Sequence, residues 1–422
     1  MTLEVRDYTR FSEKLYSECL KNGLKVYYLP KTDFQESYAI LSSRFGSVDT
    51  LLTDGGNEPS GIAHFLEHKL FEDASGKDVL LDFTKLGADA NAFTTYDRTS
   101  YLVSTTVNFM ESLSLLLDFV SQPYFKEESV NREIGIIEQE IEMYADDADY
   151  RLFLGLLQTL YPGTALAEDI AGSVEDIKNV TPEILQSYYD YFYRPSNLTL
   201  IVAGNFDLES VRKLVDTKFT GVDKANSELK RVELSLNQPD KAKSISMDVA
   251  MPKLAVGFRG KSIPEQMTAL EYKLALRLFF TLLFGWTSET YQDWYESGKI
   301  DQAFDLEFEV TERYQFVVAT MDTWEPIAMS NRIKQTVQQF AKNSDFSVEH
   351  LERIKRDYYG EFLRGLDSID SIVSQLIMNP LEGETYLDLP DYLDKIDLKK
   401  IKQVASHFIK QMDVANFTIF PK

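Results

Sequence analysis

Apolar positions along this chain follow two periods, and the switches between them outline its elements. LKVYYLP (24–30), AILSSRFGSV (39–48), TSYLVSTTV (99–107) and NLTLIVAGNF (197–206) are rich in β-branched and aromatic residues and read as strands. Between them, residues 60–72, 78–86, 109–121, 126–147 and 181–193 carry apolar side chains at helical spacing, with the Thr181 and Pro182 pair as a start signal. A further helix begins near Leu208. Helices interspersed among adjacent strands predict an α+β fold rather than a regular βαβ repeat.

From Asp223 the chain becomes polar, charged and proline-containing, DKANSELKRVELSLNQPDKAKS, which marks a linker over 223–245. It divides an N-terminal domain, 1–222, from a C-terminal one, 246–422. The pattern then begins again. ISMDVAMPKLAVGFRG reads as strands, 265–284 and 287–297 as helices, DLEFEV and YQFVVATM as strands, and 326–342 and 347–364 as helices. The closing ANFTIF takes the part that NLTLIVAGNF took before, so the halves read as a duplicated unit of about 200 residues.

Composition narrows the function classes. With 422 residues, 44% of them hydrophobic, the chain can bury sizeable cores without covalent staples. The single cysteine, Cys19, excludes a disulfide framework and a cysteine-based zinc site, so any metal must be held by His, Asp or Glu. The start, MTLEVRDYTRF, has no apolar stretch of the kind a secretory signal needs, and the longest apolar run, LALRLFFTLLFGW, is interrupted by Arg277. A cytoplasmic protein without a membrane segment is expected. A formal charge of −23 argues against nucleic acid or an anionic membrane as partner. Should part of that charge line a chamber, basic peptides would be favoured.

Two of the four histidines stand in GIAHFLEHKLFE, residues 61–72. On a helix at about 100° per residue, His64, Glu67 and His68 share one face, while Ile62, Phe65, Leu66, Lys69 and Leu70 fall opposite. Two imidazoles at i and i+4 can meet one ion and leave a neighbouring Glu as base toward water, the HxxEH arrangement; the bland alternative is a polar helix face. A third ligand is required. His350 and His407 are remote in sequence, so the candidate is a carboxylate of KEESVNREIGIIEQEIEMYADD, residues 126–147. There Glu133 and Glu140, seven apart, fall between Val130, Ile134, Ile137, Ile141 and Tyr144 on one side and Ile136 and Met143 on the other, inside an apolar arc; Glu138 and Glu142 do not. A carboxylate on a buried face needs a cation or hydrogen bonds to offset its burial, unless it reaches solvent at the edge of the stripe.

These residues resemble the pitrilysin, insulinase and mitochondrial processing peptidase family of zinc metallopeptidases, whose pattern is HxxEH followed by two glutamates seven apart. The resemblance extends to GADANAFTTYDRTSYLV, similar to the family's edge strand, and to RPSNLTLIVAGNFD, LFFTLLFGWTSETYQDWYESG and VVATMDTWEP, so that nearly the whole chain is covered. It implies Zn2+ held by His64, His68 and Glu140, Glu67 as general base, and Glu133 as a supporting carboxylate. It implies two similarly folded α+β domains, each an antiparallel sheet with helices packed on it. It also implies a chamber made by two such halves, of which this chain supplies one. A peptide substrate would add as a strand along Ala90, Asn91, Ala92, Phe93 and Thr94, with Asn91 near the scissile carbonyl.

One departure matters. The family's active members carry an Arg and, seven residues on, a Tyr in the half opposite the metal; aligned on LFGWTSETYQDWYESGKIDQAF, those places hold Tyr295 and Gln302. Neither supplies the permanent charge of Arg. The expected assembly is therefore a heterodimer with a homologous subunit carrying the Arg and Tyr, as in the family's small bacterial branch. The rival reading is a non-catalytic structural or assembly subunit, since relatives of this fold serve as scaffolds.

Overall fold

The β-branched and aromatic runs assemble into two sheets in the computed structural model, which describes residues 3–49, 59–219, 229, 231, 233–379 and 383–422. Strands β1 (Glu4–Tyr8), β2 (Glu13–Cys19), β3 (Lys25–Pro30), β4 (Ser37–Ser43), β5 (Ala88–Thr94), β6 (Thr99–Thr105) and β7 (Leu198–Gly204) form a seven-stranded sheet in the order β1-β2-β3-β7-β4-β6-β5. Strands β8 (Ala242–Met247), β9 (Lys253–Gly260), β10 (Asp305–Val310), β11 (Gln315–Asp322) and β12 (Asp413–Pro421) form a five-stranded sheet in the order β10-β11-β9-β12-β8.

The two sheets share one plan. In each, the last strand inserts between the first two of the common set: β7 between β3 and β4, β12 between β8 and β9. It runs parallel to the first neighbour and antiparallel to the second. This is the duplication read from the sequence, with β1 and β2 as an addition to the first copy. The sheets are mixed, however, and the expectation of purely antiparallel ones is corrected. Hairpins force neighbours to be antiparallel, but the closing strand returns after a long helical excursion and is free to enter parallel to one neighbour.

The chain folds into two compact units that are interleaved in sequence: residues 1–143, 168–232 and 368–377 form one, and 144–167, 233–367 and 378–422 the other. Of the expected linker, residues 223–228, 230 and 232 lie outside the described residues. In the first unit, helices α1 (Ile62–Leu70), α2 (Leu80–Leu86), α3 (Phe109–Ser121) and α4 (Glu127–Ala145, all but its last two residues) accompany the larger sheet. Ile62, Ala63, Phe65, Leu66 and Leu70 of α1 join a core with Val26, Tyr28, Leu41, Tyr101 and Val103 of the sheet. Each large apolar side chain so buried contributes about 1.5–3 kcal/mol. In the second unit, helix α5 (Ala148–Leu160) lies on β9, β12 and β8, and Ala269–Phe284 is buried on nearly all sides. The first of these helices was not legible in the pattern. Asp147 starts it, its carboxylate accepting the Asp149 and Tyr150 amides at 2.9 Å. Among the described residues no helix is long and apolar enough to cross a membrane.

Candidate metal centre

The helix that carries HxxEH has no side-chain N-cap; its start is fixed by close packing. Gly61 holds φ 84°, and a Cβ there would lie 2.3 Å from the Ala171 carbonyl oxygen, so only glycine lets this loop close on the start of α1. Beside it, Ser60 Oγ donates to Asp176 Oδ2 at 2.6 Å. From that anchor α1 turns Ile62, Ala63, Phe65, Leu66, Lys69 and Leu70 inward and leaves His64, Glu67 and His68 only partly buried.

Helix α4 brings Glu133 and Glu140 to that open face. His64 Nε2 lies 3.7 Å from Glu140 Oε1, and His68 Nε2 lies 3.5 Å from Glu140 Oε2. One ligand atom from each of the three residues falls within 4.8 Å of the others. Ligands about 2.0–2.1 Å from a tetrahedral ion stand roughly 3.4 Å apart along each edge, so the two distances to the Glu140 carboxylate are close to those of a zinc site, and small side-chain adjustments would bring all three donors onto one ion. Glu133 Oε1 sits 2.9 Å from His68 Nδ1; when Nδ1–H donates there, the Nε2 lone pair is turned toward Glu140. Among the described residues His64 has no equivalent second partner, its Nδ1 being buried without a hydrogen bond.

Electrostatics agree with the donor chemistry. Burial, together with the neighbouring His68, drives the His64 pKa down to about 3, so this imidazole is a neutral donor at physiological pH. Burial also pushes His68 downward, but the hydrogen bond and charge of Glu133, with Glu67 and Glu140, outweigh it and hold the pKa above the usual histidine value. Such a cation-favouring pocket is lined by three carboxylates. Burial raises the Glu67 carboxyl above the usual carboxylate range, opposed by the Thr94 hydroxyl, which donates to Glu67 Oε2 at 2.6 Å.

Thr94 closes the edge strand β5, which pairs with β6 from Ala88 opposite Thr105 to Thr94 opposite Thr99. Strand alternation puts Ala90 and Ala92 on the same side as Thr94, and both alanines pack against the core; Asn91 and Phe93 point the other way. Asn91 is exposed, its side-chain oxygen accepting the Ala92 amide at 2.8 Å. Of this strand, Thr94 is the residue whose side chain reaches Glu67. The apolar arc of α4 is also narrower than its sequence reads. Val130 and Ile137 are buried, but Ile136 and Met143 are 48% and 59% exposed, so Glu133 and Glu140 sit at the edge of the stripe. Of the other carboxylates, Glu138 pairs with Lys178 at 2.9 Å.

Comparison with known proteins decides the family. Residues 54–174, which contain every residue of this cluster, match the family described as Insulinase (Peptidase family M16), and residues 179–358 match the Peptidase M16 inactive domain. The uncharacterized zinc protease YmfH of Bacillus subtilis (strain 168) is 36% identical over 426 residues, covering 99% of each chain. The chain belongs to peptidase family M16. Two solved structures extend the likeness in fold. An M16-like peptidase from Alicyclobacillus acidocaldarius superposes with a TM-score of 0.87 at 28% identity, covering 100% of this chain and 99% of that one. The periplasmic protease PqqL from Escherichia coli superposes with a TM-score of 0.72 at 20% identity, covering 96% of this chain but 47% of that one.

The remaining histidines of this M16 chain are occupied in the second unit. His350 lies 2.8 Å from Thr287 Oγ1 and 3.1 Å from the Asp345 carbonyl, and His407 Nε2 lies 3.1 Å from the Ser262 carbonyl. Tyr295, on the helix Glu289–Glu296, stacks on Tyr291 at 5.9 Å and is 42% exposed; Gln302 follows in an exposed loop. Two features of the site escaped the sequence reading. The Thr94 contact to Glu67 could have been sought in the short distance between motif and edge strand. A second tie between α1 and α4, through Lys69, is flagged only by a lysine on the apolar side of the wheel.

Proposed function

We propose that this chain is the zinc-binding half of a metalloendopeptidase that hydrolyses short or unfolded peptides. The observation that carries the reading is the convergence of His64, His68 and Glu140 within 4.8 Å, beside a raised-pKa Glu67, in a member of M16. His64, His68 and Glu140 would hold the ion, with Glu133 orienting His68. When bound, zinc supplies Lewis acidity toward a peptide carbonyl and toward water. Glu67 accepts the water proton on its carboxylate and returns it to the departing amine, and Thr94 keeps that carboxylate aimed. The peptide adds along β5, which ends the sheet among the described residues, through main-chain hydrogen bonds, a recognition mode indifferent to sequence.

A homologous subunit carrying an Arg and Tyr pair completes the chamber in this reading. Support comes from Tyr295 and Gln302 standing where the pair belongs, and from the fold matching 47% of the PqqL chain, as one half of a longer protein would. The test combines metal analysis with a quenched-peptide assay. The purified chain should carry one zinc, and activity should appear on mixing with its partner and vanish with a chelator. Glu67→Gln should retain zinc and lose at least a hundredfold in kcat, the scale of a general base. Full activity of the lone chain sinks the heterodimer; a chain without zinc leaves the structural-subunit role standing.

A further inference from the structure

Lys69 is out of place by any reading of α1. Its neighbours on the inward face are Ile62, Ala63, Phe65, Leu66 and Leu70, and its side chain is 0% exposed. A fully buried ammonium, even when paired, is on average no more stabilising than a hydrocarbon of similar volume. Fold stability alone does not account for a lysine there. What charged hydrogen bonds provide, and apolar contacts do not, is a fixed direction.

The directions are specific. Lys69 Nζ donates to Glu72 Oε2 at 2.7 Å and to Ser129 Oγ. Ser129 Oγ donates to the same Glu72 oxygen at 2.5 Å, and Arg132 Nη2 reaches it at 2.9 Å. Ser129 is itself buried. Lys69 and Glu72 belong to the end of α1 and the residues after it; Ser129 and Arg132 belong to α4.

With the metal cluster these contacts form one ladder. Descending α1 from Glu72 and Lys69 through His68 to His64, the partners climb α4 from Ser129 and Arg132 through Glu133 to Glu140. The helices therefore run antiparallel, joined rung by rung. A slip of one residue along either axis is about 1.5 Å, whereas a functional site tolerates about 0.5 Å. The Lys69 rung is the deepest, and it lies directly beside the His68 rung.

We propose that Lys69, with Glu72 and Ser129, is the positioning brace that holds α4 in register with α1 and so sets Glu140 at coordinating distance from His64 and His68. The proposal rests on the metal reading above. Lys69 touches neither substrate nor ion, so its signature is the geometry of the site. A merely stabilising lysine would change the melting temperature and leave bound metal unaltered.

The test is titration of the metal-free full chain with Co2+, following the ligand-field absorption, and with Zn2+ against a chromogenic chelator. Lys69→Met should weaken both ions tenfold or more, the range seen when groups behind a metal ligand are lost, and should change the Co2+ band shape. The double variant Lys69→Met/Glu72→Gln removes both charges together, leaves no half-buried carboxylate short of its lysine partner, and should show the same loss. Ser129→Ala keeps the Lys69 to Glu72 pair and should weaken binding severalfold. Val211→Ala, a core truncation in the same unit, should lower the melting temperature and leave affinity and spectrum as in the wild type. The proposal is overturned if the brace variants bind Co2+ with wild-type affinity and spectrum. Should the wild type take up no Co2+, the metal reading falls and the brace falls with it.

Discussion

Glu67 shows how one side chain's role is set by its immediate contacts. Its helix leaves it half-open, burial raises its pKa, and among the described residues the Thr94 hydroxyl is the one side chain that donates to it. Thr94→Val keeps the volume and removes the donor. It should cost on the order of tenfold in kcat while zinc content stays at one per chain, a separation that metal analysis beside steady-state kinetics can read. At this scale the sequence was informative about chemistry. The spacing His64, Glu67, His68 fixes three side chains on one helix face by geometry alone. Which group aims Glu67 was not legible, because Thr94 is 27 residues away and its approach depends on how β5 lies against α1.

Among elements, the start of α1 is the sharpest constraint. Gly61 and Gly172 face each other, both at positive φ, and a Cβ on either would meet main-chain atoms of the other loop. Gly61→Ala combines an unfavourable left-handed backbone with that collision and should destabilise the fold by about 2 kcal/mol or more, seen as a lower urea midpoint at unchanged slope. The helices at 109–121 and 181–193 and the strand at 305–310 were legible nearly to the residue, because each has a strong period bounded by turn signals. Helix α5 was not. Leu152, Leu154, Leu156, Leu157 and Leu160 are all buried, so it lacks the clean polar face that periodicity detects. The exposure of Ile136 and Met143 was missed for the opposite reason: an apolar residue at helical spacing predicts burial only if another element arrives to cover it.

For the whole molecule, the duplicated plan has a titratable element in its second copy. Asp305, Glu307 and Glu309 alternate along one side of the edge strand β10. Glu307 keeps an exposed surface, but the crowding of surrounding chain, then the like charges of Glu309 and Asp305, push its pKa up to about 7, with Lys273 offsetting part of the effect. A carboxyl whose folded pKa is raised favours the fold below its unfolded value of about 4.3, and that contribution is lost as pH rises through about 7. Wild type should therefore lose stability relative to Glu307→Gln between pH 5 and pH 8, by an amount that solvent screening at this exposed position keeps small, measured as the divergence of their urea midpoints. The sequence by itself determined the α+β class, the repeated unit and the three residues His64, Glu67 and His68, since all rest on local periodicity and the helix turn. Only the tertiary structure decided that the sheets are mixed, that Thr94 meets Glu67, and that Lys69 and Ser129 tie α1 to α4. Each of these depends on segments that are distant in the chain and are brought together only when the core of their own unit forms.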